Sequence, residues 1–214
     1  MASVRVLHAD ERIVVVDKPA GLLVVPAPGR RDETLVTVLT AQLGRKVLAV
    51  HRLDEDTTGA MLFVLDDEAR VAFDGLFRRH AIQRDYLALV TAAPSPPSGR
   101  IESALQEGVD GTVRVVERGG QRAITHYETI ERRGRCTLVR CRLETGRRNQ
   151  IRVHLAALGC PLAGDRKYGY RARTGETFRR VMLHSWRLEF EHPFTRETVR
   201  VVVDPPEPDL QPPR

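Results

Sequence analysis

The sequence predicts an α+β fold, a single domain with a large, mostly antiparallel mixed sheet flanked by a few helices. Three features lead to that class. Runs of aliphatic and β-branched residues cluster along the chain, and the later ones are separated by Gly119-Gly120 and Arg133-Gly134, turns that join antiparallel neighbours. Helical periodicity is confined to three stretches. There is no internal repeat and no regular alternation of strand with helix, which argues against a doubly wound sheet. At 214 residues the chain is long enough to bury a substantial core.

In chain order, 4–7 and 13–17 read as paired strands, the second ending at Asp17-Lys-Pro-Ala-Gly21, where Pro19 and Gly21 suit a tight turn. Residues 22–25 continue as a further strand and 26–31 as a loop. A helix follows, with Asp32 or Thr34 as its cap, Leu35, Val38, Leu39 and Leu43 on one face and Gly44 ending it. Two segments with the pattern of buried strands, 47–50 and 60–65, bracket a polar excursion. Asp66 or Asp67 caps a second helix whose Ala69, Ala72, Phe73, Leu76 and Phe77 face inward while Arg70, Asp74 and Arg78 face out. Arg78, Arg79 and His80 then oppose the negative end of the helix dipole, which accounts for that basic cluster without a ligand.

Residues 82–91 alternate as a strand, with Ile82, Arg84, Tyr86, Ala88 and Val90 on one face. The Pro-rich 93–99 is a linker or long turn, and strands follow at 100–104, 112–116, 123–131 and 136–144. A third helix, 148–158, presents Ile151, Leu155 and Leu158 to the core and ends at Gly159. Residues 164–177 form a loop, and strands at 181–191 and 198–203 close the sheet. The domain, 1–203, gives way to a loose Pro-rich tail over 204–214.

The chain carries 34 Lys plus Arg against 28 Asp plus Glu, a net charge of +6, and of those 34 only Lys18, Lys46 and Lys167 are lysines. A guanidinium is a planar fork that grips phosphate and stacks on bases, so the imbalance favours a nucleic-acid partner over a membrane. Arginine-rich codon usage is the functionless alternative. Cys136, Cys141 and Cys160 form no Cys-x-x-Cys pair and read as small buried residues rather than a disulfide frame or a zinc site. The first residues run straight into a strand pattern, so neither a signal peptide nor a transmembrane helix is expected, and the expected location is cytoplasmic.

The excursion from His51 to Gly59, His-Arg-Leu-Asp-Glu-Asp-Thr-Thr-Gly, places one His, one Arg, three acids and two hydroxyls beside a core. Polar groups there must be paired, because leaving them unpaired is costly. By itself the stretch is explained by a turn in which Asp54 or Asp56 caps its own backbone. Two other stretches change that reading: Arg84-Asp-Tyr86-Leu-Ala88-Leu-Val90, and Leu143-Glu-Thr-Gly146-Arg147-Arg-Asn-Gln150-Ile-Arg152-Val-His154. Taken in order, the three resemble the RluA-type family of RNA pseudouridine synthases. Further matches lie at Asp17-Lys-Pro-Ala-Gly21, Gly164-Asp-Arg-Lys-Tyr168, Leu183-His-Ser and Glu191-His-Pro193. The chain departs from the family pattern at Thr58, Arg84 and Asn149, where the family usually has Ser, Lys and His. It also begins at the catalytic domain, with no separate N-terminal RNA-binding domain expected.

The resemblance implies isomerisation of a uridine in RNA: the glycosidic bond to N1 breaks, the uracil turns over, and C5 is rejoined to the sugar. No cofactor and no metal are implied. Asp54 matches the catalytic aspartate, whose carboxylate either attacks the sugar carbon or removes a sugar proton. Arg52 matches the residue inserted where the target base has flipped out. Tyr86 matches the aromatic that stacks on the flipped uracil, and Arg152 the cation that pairs with the aspartate and keeps it ionised. Helical spacing independently puts Arg152 at the border of the core face, where an unpaired guanidinium is expensive. Thr57 and Thr58 beside Asp54, together with Arg147, Arg148, Asn149 and Gln150 at the helix start, are the expected substrate-binding residues, the latter group helped by free backbone donors.

His51, His154 and His184 make no metal-binding spacing and are expected to form structural hydrogen bonds. The expected partner is a stem-loop of ribosomal or transfer RNA, with no membrane, no obligate protein partner and a monomeric chain. The alternative is a non-catalytic RNA-binding or RNA-chaperone protein on the same fold. A hydrolase using Asp54 and Glu55 as a pair is disfavoured, because neighbours on an extended chain point to opposite faces.

Overall fold

The computed structural model of the chain describes residues 3–27, 29, 33–172, 178–206 and 210. Its first part forms β1 (Arg5–Ala9), β2 (Ile13–Lys18), α1 (Leu35–Leu43), β3 (Leu48–Ala49), β4 (Thr58–Val64) and α2 (Asp67–Arg78). Then come β5 (Gln83–Val90), β6 (Ser98–Glu107), β7 (Val113–Val116), β8 (Gln121–Arg133), β9 (Cys136–Leu143) and α3 (Gln150–Ala157). After a 3-10 turn over Arg166–Tyr168, β10 (Leu183–Glu191) and β11 (Thr198–Val202) complete the chain. The α+β class expected from the sequence holds, with strands dominating and three α-helices among the described residues. The chain forms two compact units, Met1–Arg84 with Ser185–Pro205, and Asp85–His184 with Pro206–Arg214.

In the first unit the strand order is β1-β2-β4-β10, with β3 also on β4 and β11 on β10. β2 and β4 are antiparallel, Ile13 opposite Val64 and Lys18 opposite Gly59. Both strands are buried on both faces, which is why Ile-Val-Val-Val and Ala-Met-Leu-Phe-Val read as unbroken apolar runs rather than alternating ones. One face packs Ile13, Val15, Leu62 and Val64 against Phe73 and Leu76 of α2. α2 is capped by Asp66, whose side chain accepts from the Ala69 amide at 2.8 Å.

Residues 22–25 were expected to be a strand and are not one; Leu23 makes only an isolated bridge to Thr34. The reason lies at the start of α1, where the first helical amides have no partner within the helix. Leu35 and Val36 donate to the carbonyls of Leu23 (2.7 Å) and Val24 (3.2 Å), so this segment caps a helix instead of extending a sheet. Thr34 completes the cap in a reciprocal arrangement with Thr37, and Gly44 ends α1 with φ +65°. The other proposed cap, Asp32, lies outside the described residues. The strand expected at 47–50 shortens to two half-buried residues, and β4 begins at Thr58, two residues earlier than expected.

In the second unit the order is β5-β9-β8-β6-β7, with each neighbouring pair antiparallel. Leu105, Val113 and Ala123 pack against Val153 of α3, with Tyr168 beside them. α3 starts at Gln150, not at 148, and the expected core residue Leu158 is its half-exposed C-cap. The Pro-rich linker is shorter than expected, since β6 already begins at Ser98. The tail is not uniformly loose. Leu210 is fully buried against Leu89, Cys136 and Met182, and its carbonyl accepts from the Arg133 guanidinium at 3.2 Å. The remaining tail residues 207–209 and 211–214, and 173–177 of the expected loop, lie outside the described residues.

All three cysteines are buried and unbridged, and burial pushes the Cys141 thiol up to about 12. Among the described residues no helix is long and apolar enough to cross a membrane.

Candidate active site

The Asp54 loop belongs to the first unit, at the end of the β2–β4 ladder. The Thr57 amide donates to the Asp54 carbonyl at 3.1 Å, closing a turn with Glu55 and Asp56 at its corners. Beneath it lies Lys18, the last residue of β2 and among the largest fully buried side chains of the chain. Its Nζ donates to the carbonyls of Pro19 (2.8 Å), Glu55 (2.7 Å) and Thr57 (3.1 Å). An ammonium has three protons and no acceptor, so three converging carbonyls satisfy it. The Glu55 carbonyl also accepts from Gly21, at 3.0 Å, and Gly21 reaches it through a left-handed turn with φ +75°. Asp54 is therefore half-buried on a loop whose main chain is nailed down at Glu55 and Thr57. Arg52 is exposed, while Thr57 and Thr58 are buried.

His51, at the start of the loop, is structural. Its Nε2 accepts from the Leu62 amide of β4 at 3.0 Å, its ring lies 5.0 Å from Phe77, and burial, with Arg84 as a second cause, holds it down to about 3. A neutral imidazole with Nε2 as acceptor follows.

The second unit carries the remaining candidates. Tyr86 lies on β5 opposite Cys141 and is almost completely buried. The next residue back, Asp85, is fully buried and accepts from Arg142 Nε at 2.8 Å.

At the start of α3 the expected substrate-binding residues separate. Arg147 and Arg148 are exposed, Arg147 donating to the Arg122 carbonyl at 3.1 Å and Arg148 pairing with Glu107. Gln150 is 2% exposed and has no capacity left for a ligand. Its Oε1 accepts from Thr145 Oγ1 (2.8 Å) and the Arg147 amide (3.0 Å), and its Nε2 donates to the Ile124 carbonyl (2.8 Å) and Thr125 Oγ1 (2.9 Å). Two lone pairs and two protons are all a glutamine amide has. Gln150 therefore staples α3 to β8. The same network continues through Thr125 Oγ1 to His154 Nδ1 (2.9 Å) and from His154 Nε2 to Ser103 (3.0 Å), and burial lowers His154 to about 4.

Asn149 is the N-cap residue of α3 by position, but its side chain makes no capping bond; its backbone is left-handed, φ +53°. Asparagine tolerates that region better than most L-residues. Its side chain turns instead to Tyr168, Nδ2 donating to the phenol oxygen at 2.8 Å. Arg152 is nearly buried and makes a two-point ion pair with Asp165, Nε to Oδ2 at 2.7 Å and Nη2 to Oδ1 at 2.8 Å. Asp165 and Lys18 were not singled out from the sequence. Both stand inside quoted stretches, Gly164-Asp-Arg-Lys-Tyr168 and Asp17-Lys-Pro-Ala-Gly21, which was the available signal. No cluster of His, Cys, Asp or Glu suited to a metal ion occurs among the described residues.

The chain matches the family described as RNA pseudouridylate synthase over residues 12–157. It belongs to that family, and so is an RNA-modifying isomerase that acts on uridine. It is 36% identical over 211 residues to an uncharacterized RNA pseudouridine synthase, YlyB, of Bacillus subtilis (strain 168), covering 94% of this chain and 69% of the relative. It is 38% identical over 224 residues to ribosomal large subunit pseudouridine synthase D of Xanthomonas campestris pv. campestris, covering 96% of this chain and 67% of the relative. The chain thus spans about two thirds of the length of these bacterial relatives. Among solved structures, the human RNA Pseudouridylate Synthase Domain Containing 1 superposes with a TM-score of 0.78 at 26% identity, over 95% of this chain and 84% of that one.

Proposed function

We propose that this chain converts one specific uridine of a structured RNA to pseudouridine, with Asp54 as the reacting carboxylate. Ribosomal RNA is the first substrate to test, because several relatives are named as ribosomal large subunit pseudouridine synthases. The observation that best supports the role of Asp54 is the clamp of Lys18 on the Glu55 and Thr57 carbonyls, which holds the acid's main chain fixed beside a solvent-facing Arg52. A carboxylate needed only for solubility calls for no such anchoring.

In this reading the target base leaves its stack at a cost of about a few kcal/mol, and Arg52 occupies the gap. The Asp54 carboxylate attacks the sugar carbon or abstracts a sugar proton, and the N1–C1′ bond breaks. The uracil rotates against Tyr86, and C5 bonds to C1′ as the Asp54–C1′ bond breaks or, on the elimination route, as Asp54 returns the proton to the sugar. C5 then loses its proton and N1 gains one, so the isomerisation is proton-neutral, with the Tyr86 phenol proposed to relay the C5 proton. Arg152 is the cation proposed for the reacting carboxylate. Thr57, Thr58, Arg147, Arg148 and Asn149 orient the RNA, which meets the chain as a stem-loop in the cytoplasm, without a cofactor or an obligate protein partner, the chain acting as a monomer.

Chemical mapping of pseudouridine in ribosomal and transfer RNA, from cells with and without the gene, tests the proposal. One site should vanish on deletion, return with the intact gene and stay absent with Asp54→Asn, while the variant still folds and binds RNA. Normal modification by Asp54→Asn would refute the assignment.

A further inference from the structure

Arg152 sits in a cradle more elaborate than an ion pair. Asp165 takes the guanidinium edge that contains Nε, with bonds of 2.7 and 2.8 Å. Asn149 Oδ1 accepts from Nη1 at 3.3 Å, and Arg152 Cζ lies 5.0 Å from the centre of the Tyr168 ring. A guanidinium is planar and has two bidentate edges. With one edge held by Asp165 and one face over Tyr168, the Nη1–Nη2 edge can point in only one direction.

Tyr168 is itself fixed from two sides. Its hydroxyl oxygen accepts from Asn149 Nδ2 at 2.8 Å and from the amide of Val113, the first residue of β7, at 3.0 Å. The neighbouring Lys167 donates to the Gly111 carbonyl at 2.8 Å, and Arg148 pairs with Glu107. The β6–β7 hairpin is therefore latched at three points to the segments that hold Arg152.

We infer that Tyr168 is a positioning residue for the isomerisation, setting the direction of the Arg152 guanidinium through its ring and, by way of Asn149, through its hydroxyl. The inference rests on the reading of Arg152 as the partner of the reacting carboxylate. Asp165 holds one edge of Arg152; the ring and the amide add orientation. A loss of orientation lowers the rate of the chemical step and leaves substrate binding intact, which a loss of folding does not. The left-handed backbone of Asn149 belongs to the same device, since it turns the side-chain amide toward both Tyr168 and Arg152.

The test uses single-turnover kinetics on the RNA that the wild-type protein modifies. Tyr168→Phe should slow the chemical step roughly tenfold and Tyr168→Leu roughly 100-fold, with KM little changed. In an Arg152→Lys background, Tyr168→Phe should add no further loss. Wild-type rates in Tyr168→Leu, or losses that add fully to that of Arg152→Lys, would overturn the inference. A second readout is independent of turnover: the Nε–H NMR resonance of Arg152, assigned by its absence in Arg152→Lys, should move in both Tyr168 variants. An unmoved resonance would also refute the cradle. A moved resonance in a protein that isomerises no RNA would instead sink the reaction assigned to the chain, and with it the positioning role.

Discussion

Lys18→Met tests the clamp beneath Asp54. Methionine keeps the apolar stem and removes the ammonium, so three carbonyls lose the donor that Lys18 supplies. Glu55 retains one donor, the Gly21 amide, whereas Pro19 and Thr57 are left without theirs. Thr57 is buried, and a buried acceptor left unpaired costs about 1–3 kcal/mol, whereas Pro19 is exposed and its carbonyl can turn to water. Relief from desolvating a buried ammonium offsets part of this. A net loss of about 1–2 kcal/mol corresponds to a fall in Tm of about 2–8 °C for a chain of this size. The effect on activity should exceed the effect on stability, because the Asp54–Thr57 turn is anchored at the two carbonyls Lys18 holds within it. At a temperature where the variant is fully folded, the single-turnover rate should fall by about 100-fold. Urea unfolding followed by circular dichroism gives the first quantity, and isomerisation of an RNA transcript the second. A Lys18→Met protein with wild-type urea midpoint and wild-type rate would show that the three carbonyls do not depend on the ammonium.

Gln150→Ala should lower stability by about 2–4 kcal/mol, since it strips partners from the Ile124 carbonyl, the Arg147 amide and two threonine hydroxyls, yet leave RNA affinity in a filter-binding assay unchanged. Weakened RNA binding at unchanged stability would restore Gln150 to the substrate-binding set. Leu210→Ala should cost about 2–5 kcal/mol as a fully buried leucine, and a neutral result would mean that the tail adds nothing to the second unit. For pH, burial holds His154 at about 4 and His51 at about 3, both below the ordinary 6.5. The unfolded chain therefore binds protons that the folded chain refuses as pH falls below 6.5, and stability declines down to about pH 4 with a slope of about 1.4 kcal/mol per unit for each histidine. Above pH 6.5 neither contributes to the slope. His154→Gln should reduce the slope by one proton in urea titrations at successive pH values, and an unaltered slope would contradict the burial of a neutral imidazole.

Local signals were legible in the sequence wherever their physics is local. Asp66 and Gly44 act within one helical turn, and the apolar runs of β2 and β4 record burial on two faces. A boundary difference of one residue explains Leu158: the 3.6-residue period carried it to the core face, but α3 had already ended at Ala157. Lys18 was opaque for a different reason. Lysine is ordinarily an exposed residue, and only the convergence of carbonyls from two distant segments makes its burial tolerable. No periodicity encodes such convergence. The same limit applies inside a single stretch. Gln150 and Arg152 stand two residues apart in one motif, so the motif by itself assigns both to the reaction. Counting bonds separates them: Gln150 spends its whole amide on the protein's own main chain and threonines, while Arg152 has one edge anchored to Asp165 and the other directed by its cradle. A motif names the neighbourhood of the chemistry, and hydrogen-bond capacity narrows the candidates within it.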